Sequence, residues 1–196
     1  ILDIIGKRDG VQDVSALRAL IHPRGTYFAC DTHVTPDPTA EEIAEMAILA
    51  AEAIRRFGIE PKVALLSHSN FGSIDCPSAR KMQKARVLLE QLAPDLECEG
   101  EMHADAALSE DIRNRIFPNS RLKGVANLLV MPNVEAANIA QNIIKILGQA
   151  VPIGPILIGV AGPIHIMTES VSVRGLINMS AFAVVDAQSQ AAKGPS

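Results

Sequence analysis

Apolar positions along this chain form two alternating patterns: short continuous runs, and longer segments with a single apolar face. The first run, ALRALIHPRGTYFACDT, is broken by a Pro-Arg-Gly turn, which predicts a hairpin over Ala19 to Thr32. After the loop HVTPDP, Thr39 and Glu42 have the spacing of a capping box. Ile43, Ala47, Ala50, Ala51 and Ile54 then share one helical face, and Gly58 stands past its end. KVALLSH reads as a buried strand. A helix opens near Pro77, with Ala79, Met82, Ala85, Leu88, Leu89 and Leu92 on its face. LECEGEM predicts a strand, Glu110 to Ile116 a short helix, and ANLLVMP another strand. Asn133 caps a helix that runs to Leu147 and closes at Gly148. The last strand, GPILIGV, leads through GPIHIMT into a helix from about Ser172 to Ser189, and the tail beyond it is expected to fray.

Strands alternating with helices predict an α/β fold of three layers, α/β/α. Its sheet should be mainly parallel, with helices on both faces and an antiparallel edge supplied by the hairpin. Composition narrows the core: the chain is 48% hydrophobic but 3% aromatic, so Ala, Ile, Leu and Val must fill it. A net charge of −4, scattered basic residues and few aromatics give nucleic acid neither a field nor a stacking platform, and no such partner is expected. The apolar stretch near Ile153 is broken by Pro and Gly and is too short for a bilayer, so no membrane partner is expected either. Cys30, Cys76 and Cys98 have no CxxC spacing, which fits a reduced, cytoplasmic setting. The opening ILDIIGKRDG lacks a signal-peptide pattern and begins abruptly in apolar residues, as an excised part of a longer polypeptide would.

Polar loops follow the strands at Ser67 to Asp75, at Pro132-Asn133 and at Met167 to Arg174, where α/β sheets place ligands. In SHSNFGS, the residues Ser67, Ser69, Asn70, Gly72 and Ser73 offer hydroxyls, an amide and a flexible turn to a polar or anionic group. The alternative is an ordinary strand-to-helix turn. Ser69, His68 and Asp75 hold the atoms of a hydrolytic triad, but no GxSxG elbow surrounds them and no triad is expected. Glu101, His103 and Asp105 alternate as metal ligands on one strand face would. Such acid-rich alternation reads instead as a solvated edge, so no metal is expected here. Asp31-Thr-His33 receives the same reading. No Gly-rich nucleotide fingerprint is present. The helix opening at Ser172 carries Arg174 in its first turn, while Glu169 just before it opposes an anion.

Three long segments carry a resemblance: FACDTHVTPDPTAEEIAEMAILAAEAIRRFGIEPKVALLSHSNFGS, ANLLVMPNVEAANIAQN and GPILIGVAGPIHIMTESVSVRGLINMSAFAVVDAQ. Together they resemble the phosphotransacetylase (phosphate acetyl/butyryltransferase) family over roughly Leu17 to Gln188. DTHV.PDPTAEEIAEM, LLSHSNFGS and EGEMHADAAL most resemble the versions in the C-terminal domain of bacterial multidomain NADP-dependent malic enzymes. The resemblance implies a two-lobed α/β/α fold like that of isocitrate and isopropylmalate dehydrogenases. Residues 1–171 would form most of the second lobe, and residues 172–196 a closing helix returning toward the first, with a frayed tail. The first lobe and the malic enzyme catalytic domain would lie outside this region.

Active members of the family carry a Ser-Arg pair in the loop after GPI and an Asp in the first turn of the next helix. There the Ser serves coenzyme A chemistry and transition-state charge, the Arg binds phosphate, and the Asp assists thiol deprotonation. Thr168, Glu169 and Gly175 hold those places here, and Phe71 stands where the active STKGS loop has Lys. Losing a charge-assisted phosphate contact costs about 1.5–3 kcal/mol. Losing the base costs about 10²–10⁴-fold in rate. No catalytic residue is therefore expected. What the resemblance implies is a regulatory domain that binds acetyl-CoA as effector, through candidates in Ser67 to Ser73 together with Thr168, Ser170, Ser172 and Arg174. It also implies a homodimer or higher homo-oligomer. NADP and a divalent metal, Mg2+ or Mn2+, would be held by the catalytic domain of the same chain. Two alternatives stand beside it: an active phosphate acetyl/butyryltransferase, and an oligomerisation module without ligand.

Overall fold

The computed structural model describes residues 2–167 and 171–192. After a short helix α1 (Leu2–Ile5), the hairpin forms where the Pro-Arg-Gly turn predicts it. Strands β1 (Ser15–His22) and β2 (Gly25–Cys30) pair antiparallel, with His22 opposite Gly25. Helix α2 (Ala40–Arg56) starts at the capping box: Thr39 Oγ1 accepts from the Glu42 N–H at 3.2 Å, and the Glu42 carboxylate accepts from the Thr39 N–H at 2.6 Å. Then follow β3 (Lys62–Leu66), α3 (Pro77–Leu92), β4 (Glu97–Met102), α4 (Ala104–Leu108), α5 (Glu110–Ile116), β5 (Leu128–Val130), α6 (Val134–Leu147), β6 (Val151–Ile158) and α7 (Val173–Ala192). Helix α4 was not expected. A single turn inside a polar stretch gives periodicity nothing to register. Gly148 ends α6 in a right-handed conformation, and the left-handed residue is the next one, Gln149, at φ 52°.

The sheet has six strands in the order β4-β3-β5-β2-β1-β6. Strands β4, β3, β5 and β2 run parallel; β1 is antiparallel to both of its neighbours, so β6 points the same way as the parallel set. The hairpin therefore does not supply the edge. Strand β1 has buried residues on both faces, among them Ala16, Leu17, Ala19 and Leu20. Such a strand gains by having its open side paired, and β6 provides that cover.

Alternate strand residues divide between two cores. Leu17, Phe28, Val63, Leu65, Leu128 and Val130 face one with α2, α3 and α7. Ala29, Ala64, Leu66, Leu129 and Met131 face the other, with α4, α5 and α6. Helix α7 docks on the first core through Met179 and Phe182. The Phe182 ring stacks on Phe57 with centroids 5.0 Å apart. Its N-terminus is capped by Ser172, whose Oγ accepts from the Gly175 N–H at 3.0 Å. Among the described residues no helix is long and apolar enough to cross a membrane.

Candidate functional site

The loop after β3 is closed upon itself. Ser67 Oγ accepts from the Ser69 N–H at 3.1 Å, Ser73 Oγ from the Asn70 N–H at 2.9 Å, and Asn70 Oδ1 from the His103 N–H at 2.7 Å. Ser69 Oγ donates to Glu101 Oε1 at 2.7 Å, and the Gly72 N–H donates to the same oxygen at 2.7 Å. The sequence offers Ser67, Ser69, Asn70, Gly72 and Ser73 as a cradle for an anion. The anion this loop holds is the protein's own: Glu101 is 1% exposed. A solvated edge was expected for the acidic residues of β4. The strand does lie at the edge of the sheet, yet Glu99 and Glu101 are buried, because backbone N–H groups and a hydroxyl satisfy their oxygens. Glu99 accepts from the Arg121 N–H at 2.9 Å. Phe71 does not reach into the loop; it stacks on Phe117 with centroids 4.5 Å apart.

No triad assembles around Ser69. Its hydroxyl partners Glu101, His68 Nε2 lies 3.9 Å from Cys76 Sγ, and Asp75 pairs with Arg80. Of the suggested metal set, Glu101 is engaged in the loop and His103 Nε2 sits 2.8 Å from the His68 carbonyl oxygen. Among the described residues no group of three or more His, Cys, Asp or Glu could hold a metal ion.

A second location is more open. A cleft of about 390 Å³ lies over β1 and β6, walled by α6 and by the start of α7. Arg18 enters it from β1 and His33 from the loop after β2, Asn138, Gln141, Asn142 and Lys145 from α6, Met167, Val171 and Ser172 from before α7, and Gly175 from its first turn. Thr168, Glu169 and Ser170 lie outside the described residues, but Met167 and Val171 on either side of them line this cleft. Arg174 is exposed on the first turn of α7. None of Ser67 to Ser73 lines the cleft. Strands β5, β2 and β1 separate β3 from β6, four steps of about 4.8 Å each, so the strands that lead into the two candidate loops lie about 19 Å apart across the sheet.

The electrostatics of the cleft follow from two side chains. His33 Nδ1 lies 2.7 Å from Thr32 Oγ1, and its Nε2 lies 3.4 Å from Arg18 Nη2. The neutral tautomer with Nδ1–H satisfies both contacts: Nδ1 donates to the hydroxyl and Nε2 accepts from the guanidinium. Burial first, and then the nearby Arg18 charge, hold the imidazole below its ordinary pKa, against a smaller upward pull from Asp31. The Asp31 carboxylate is itself occupied by backbone N–H groups of Ala16, His33, Val34 and Thr35.

Sequence reasoning did not select Arg18, Asn138, Gln141, Asn142 or Lys145, though both signals were present. Arg18 is a lone charge inside an apolar strand. The four α6 residues recur at helical spacing, so they make one polar stripe. That stripe faces the cleft, while Ile139, Ile143, Ile146 and Leu147 are exposed. Helix α6 thus has three sides: Ala136, Ala137 and Ala140 pack on the second core, the polar stripe meets the cleft, and the isoleucines are left outward.

Residues 1–184 match the family model described as Phosphate acetyl/butaryl transferase. The chain belongs to this family. Among phosphate acetyl/butaryl transferase relatives, the phosphotransacetylase structure from Streptococcus pyogenes superposes with a TM-score of 0.92 at 32% identity, covering 96% of this chain and 58% of that one. The chain is 54% identical over 189 residues to the NADP-dependent malic enzyme of Escherichia coli (strain K12), covering 96% of this chain and 25% of that protein. It is 55% identical over 183 residues to the NAD-dependent malic enzyme of Rhizobium meliloti (strain 1021), covering 93% of this chain and 24% of that protein. It thus spans about a quarter of the length of these malic enzymes. Similarity to an NADP-dependent and an NAD-dependent relative is nearly equal, so likeness in this region does not discriminate between the two nucleotides.

Proposed function

We propose that this chain is a regulatory domain of a malic enzyme: inactive in acetyl transfer to phosphate, responsive to acetyl-CoA, and coupled to a catalytic unit in the same polypeptide that oxidatively decarboxylates malate to pyruvate and CO2. The nicotinamide nucleotide and the divalent metal of that reaction belong to the catalytic unit. The two-lobed arrangement of isocitrate dehydrogenase-like proteins is part of this reading, with the present sheet as one lobe.

One observation carries the loss of transfer chemistry. Where active relatives place an Asp in the first turn of the last helix, this chain has Gly175, whose N–H is taken by Ser172 and which has no side chain to accept a proton. The described lining of the cleft contains no carboxylate. The imidazole nitrogen His33 Nε2 is turned toward Arg18. Glu169 adds a negative charge where the active relatives have the phosphate-binding Arg.

A pocket without catalysis retains regulatory use if its ligand prefers one arrangement of the chain. A differential affinity of about 1–3 kcal/mol gives ordinary allosteric coupling. Assembly is the second part of the reading. The outward apolar side of α6, together with exposed Leu176, Ile177 and Val184 on α7, makes a surface suited to another copy or another lobe.

The test is malate oxidation by the complete polypeptide with and without acetyl-CoA, beside an assay for acetyl phosphate. Acetyl-CoA sensitivity that disappears when this region is deleted, with no acetyl phosphate formed, is the expected result. Acetyl phosphate formation from acetyl-CoA and inorganic phosphate would assign the chain to the active transferases instead.

A further inference from the structure

The second face of the sheet is covered less completely than the first. Helices α4 and α5 have 5 and 7 residues, against 17 and 16 in α2 and α3. Between the end of α4, the β1–β2 turn and the last turns of α6 there remains a pocket of about 360 Å³. It shares no lining residue with the cleft beside β6, and Met167 and Val171, which flank residues 168–170, do not line it. Its walls are aliphatic: Leu108 from α4, Leu129 from β5, and Ile143, Ile144 and Leu147 from α6. The polar side chains all come from the hairpin. His22 and Tyr27 stand edge to face with ring centroids 6.3 Å apart. His22 Nδ1 accepts from the Arg24 N–H at 3.1 Å, so the ring hydrogen sits on Nε2 and makes that nitrogen a donor. This edge of the ring faces α6: its Cδ2 lies 3.4 Å from where a Cβ on Gly148 would stand. Arg24 is exposed on the turn and forms no ion pair among the described residues. The described lining holds no carboxylate. The end of α6 brings partial negative charge to one side, but the Ile144 and Ile146 carbonyls there accept from the Gly148 and Gln149 N–H groups.

We infer that this pocket binds an amphiphilic monocarboxylate such as a medium-chain fatty acid, its hydrocarbon body against the aliphatic walls and its carboxylate at the mouth beside Arg24. An apolar enclosure with a few convergent polar groups is the usual form of a small-molecule site, and the volume falls within the usual range. The chemistry of the occupant follows from the lining. A small anion alone would leave the five aliphatic side chains facing water. A wholly apolar occupant would leave the guanidinium and the His22 N–H without counterparts. One cation matches one negative charge, and the planar fork of Arg24 fits the two oxygens of a carboxylate. The pocket lies apart from the cleft assigned to the effector, and the inference does not rest on the acetyl-CoA reading.

Titration calorimetry on the complete polypeptide would compare butanoate, hexanoate and octanoate with neutral octanol. Affinity should rise along the carboxylate series, because each added methylene is taken out of water. Arg24→Met should weaken octanoate about tenfold or more and leave octanol unchanged, and Arg24→Lys should recover part of the loss. Arg24 lies on an exposed turn outside both cores, so these variants report on the ligand and not on folding. Ile144→Glu, which sets a carboxylate in the aliphatic wall, should abolish binding of both octanoate and octanol. If that variant does not fold, the Arg24 variants carry the test. Octanoate held equally by wild type and Arg24→Met overturns the proposal, as does octanol lost in step with octanoate in that variant. Absence of heat with every probe overturns it too, including the case of a second copy of the chain closing the pocket. None of these outcomes alters the acetyl-CoA reading, which concerns other residues.

Discussion

The Arg56 guanidinium and the Asp186 carboxylate form an ion pair across 130 positions of sequence, joining the end of α2 to the last helix, and Asp186 is almost completely buried. This contact anchors α7 at the far side from its Ser172 cap. Removing one partner of a buried pair leaves the other uncompensated, at a cost of about 3–5 kcal/mol. Asp186→Ala should therefore lower the unfolding midpoint in urea and raise amide exchange throughout α7. Wild-type protection in α7 of this variant would show that Met179 and Phe182 hold the helix unaided.

His165 packs against this pair. Its Nε2 lies 3.8 Å from Asp186 Oδ2, its ring lies 5.1 Å from that of Phe182, and its Nδ1 accepts from the Leu157 N–H at 3.3 Å. Burial pulls the imidazole below its ordinary 6.5; Asp186 pulls it up and Arg56 pulls it down by lesser amounts. Below pH 6.5 the unfolded chain binds a proton that the folded chain refuses, so stability is full above that value and falls as pH drops toward the folded pKa. His33 has the same sign. Melting temperatures between about pH 5 and pH 8 should fall on the acid side for the wild type, less steeply for His165→Gln, and least for His33→Gln/His165→Gln.

Gly175 lies in the first turn of α7, where a Cβ would meet Val171 Cγ2 at 2.9 Å and Ser172 Oγ at 3.3 Å. The Val171 methyl can turn aside, and Ser172 Oγ needs to give by only a few tenths of an ångström, which keeps its cap. Asp at this position gains helix propensity and a favourable place beside the helix dipole, about 0.5–1 kcal/mol together. Gly175→Asp should melt higher than the wild type and still form no acetyl phosphate, because Glu169 is unchanged. Transfer activity in this single variant would show that the missing proton acceptor alone had silenced the site.

Ile146 and Leu147 on α6 are 69% and 81% exposed, with Ile139 and Ile143 on the same outward side. If the proposed assembly uses this surface, replacing both Ile146 and Leu147 by Lys should lower the particle mass of the complete polypeptide, read by light scattering after size exclusion. Urea unfolding of the resulting monomer should lie within about 0.5 kcal/mol of the parent's folded monomer, since neither side chain belongs to a core. An unchanged particle mass would place the partner surface elsewhere.

Much of the architecture was legible because local rules and burial point the same way. The Thr39–Glu42 box, the Pro77 start, the Asn133 cap and the runs of β3 and β5 each appear where the residues place them. The position of β6 was not legible, since an apolar run states that a strand is covered without stating which neighbour covers it. The burial of Glu99 and Glu101 was hidden for a related reason: their partners, Arg121 and Ser69, are far away in sequence. At the site, the family motifs drew attention to the SNFGS loop, whose Ser69 hydroxyl and Gly72 N–H are spent on Glu101. The stripe from Asn138 to Lys145 was open to inspection, yet only its contact with the cleft distinguishes it from a solvated helix face.

Helix α6 sets a cleft-lining residue and an outward apolar one side by side. Lys145 belongs to the inner wall and Ile146 to the outer skin, one peptide bond apart on the same rod. On the proposed reading, a ligand inside the cleft and a second copy outside would bear on one rigid rod, so a shift of that rod would be shared by both.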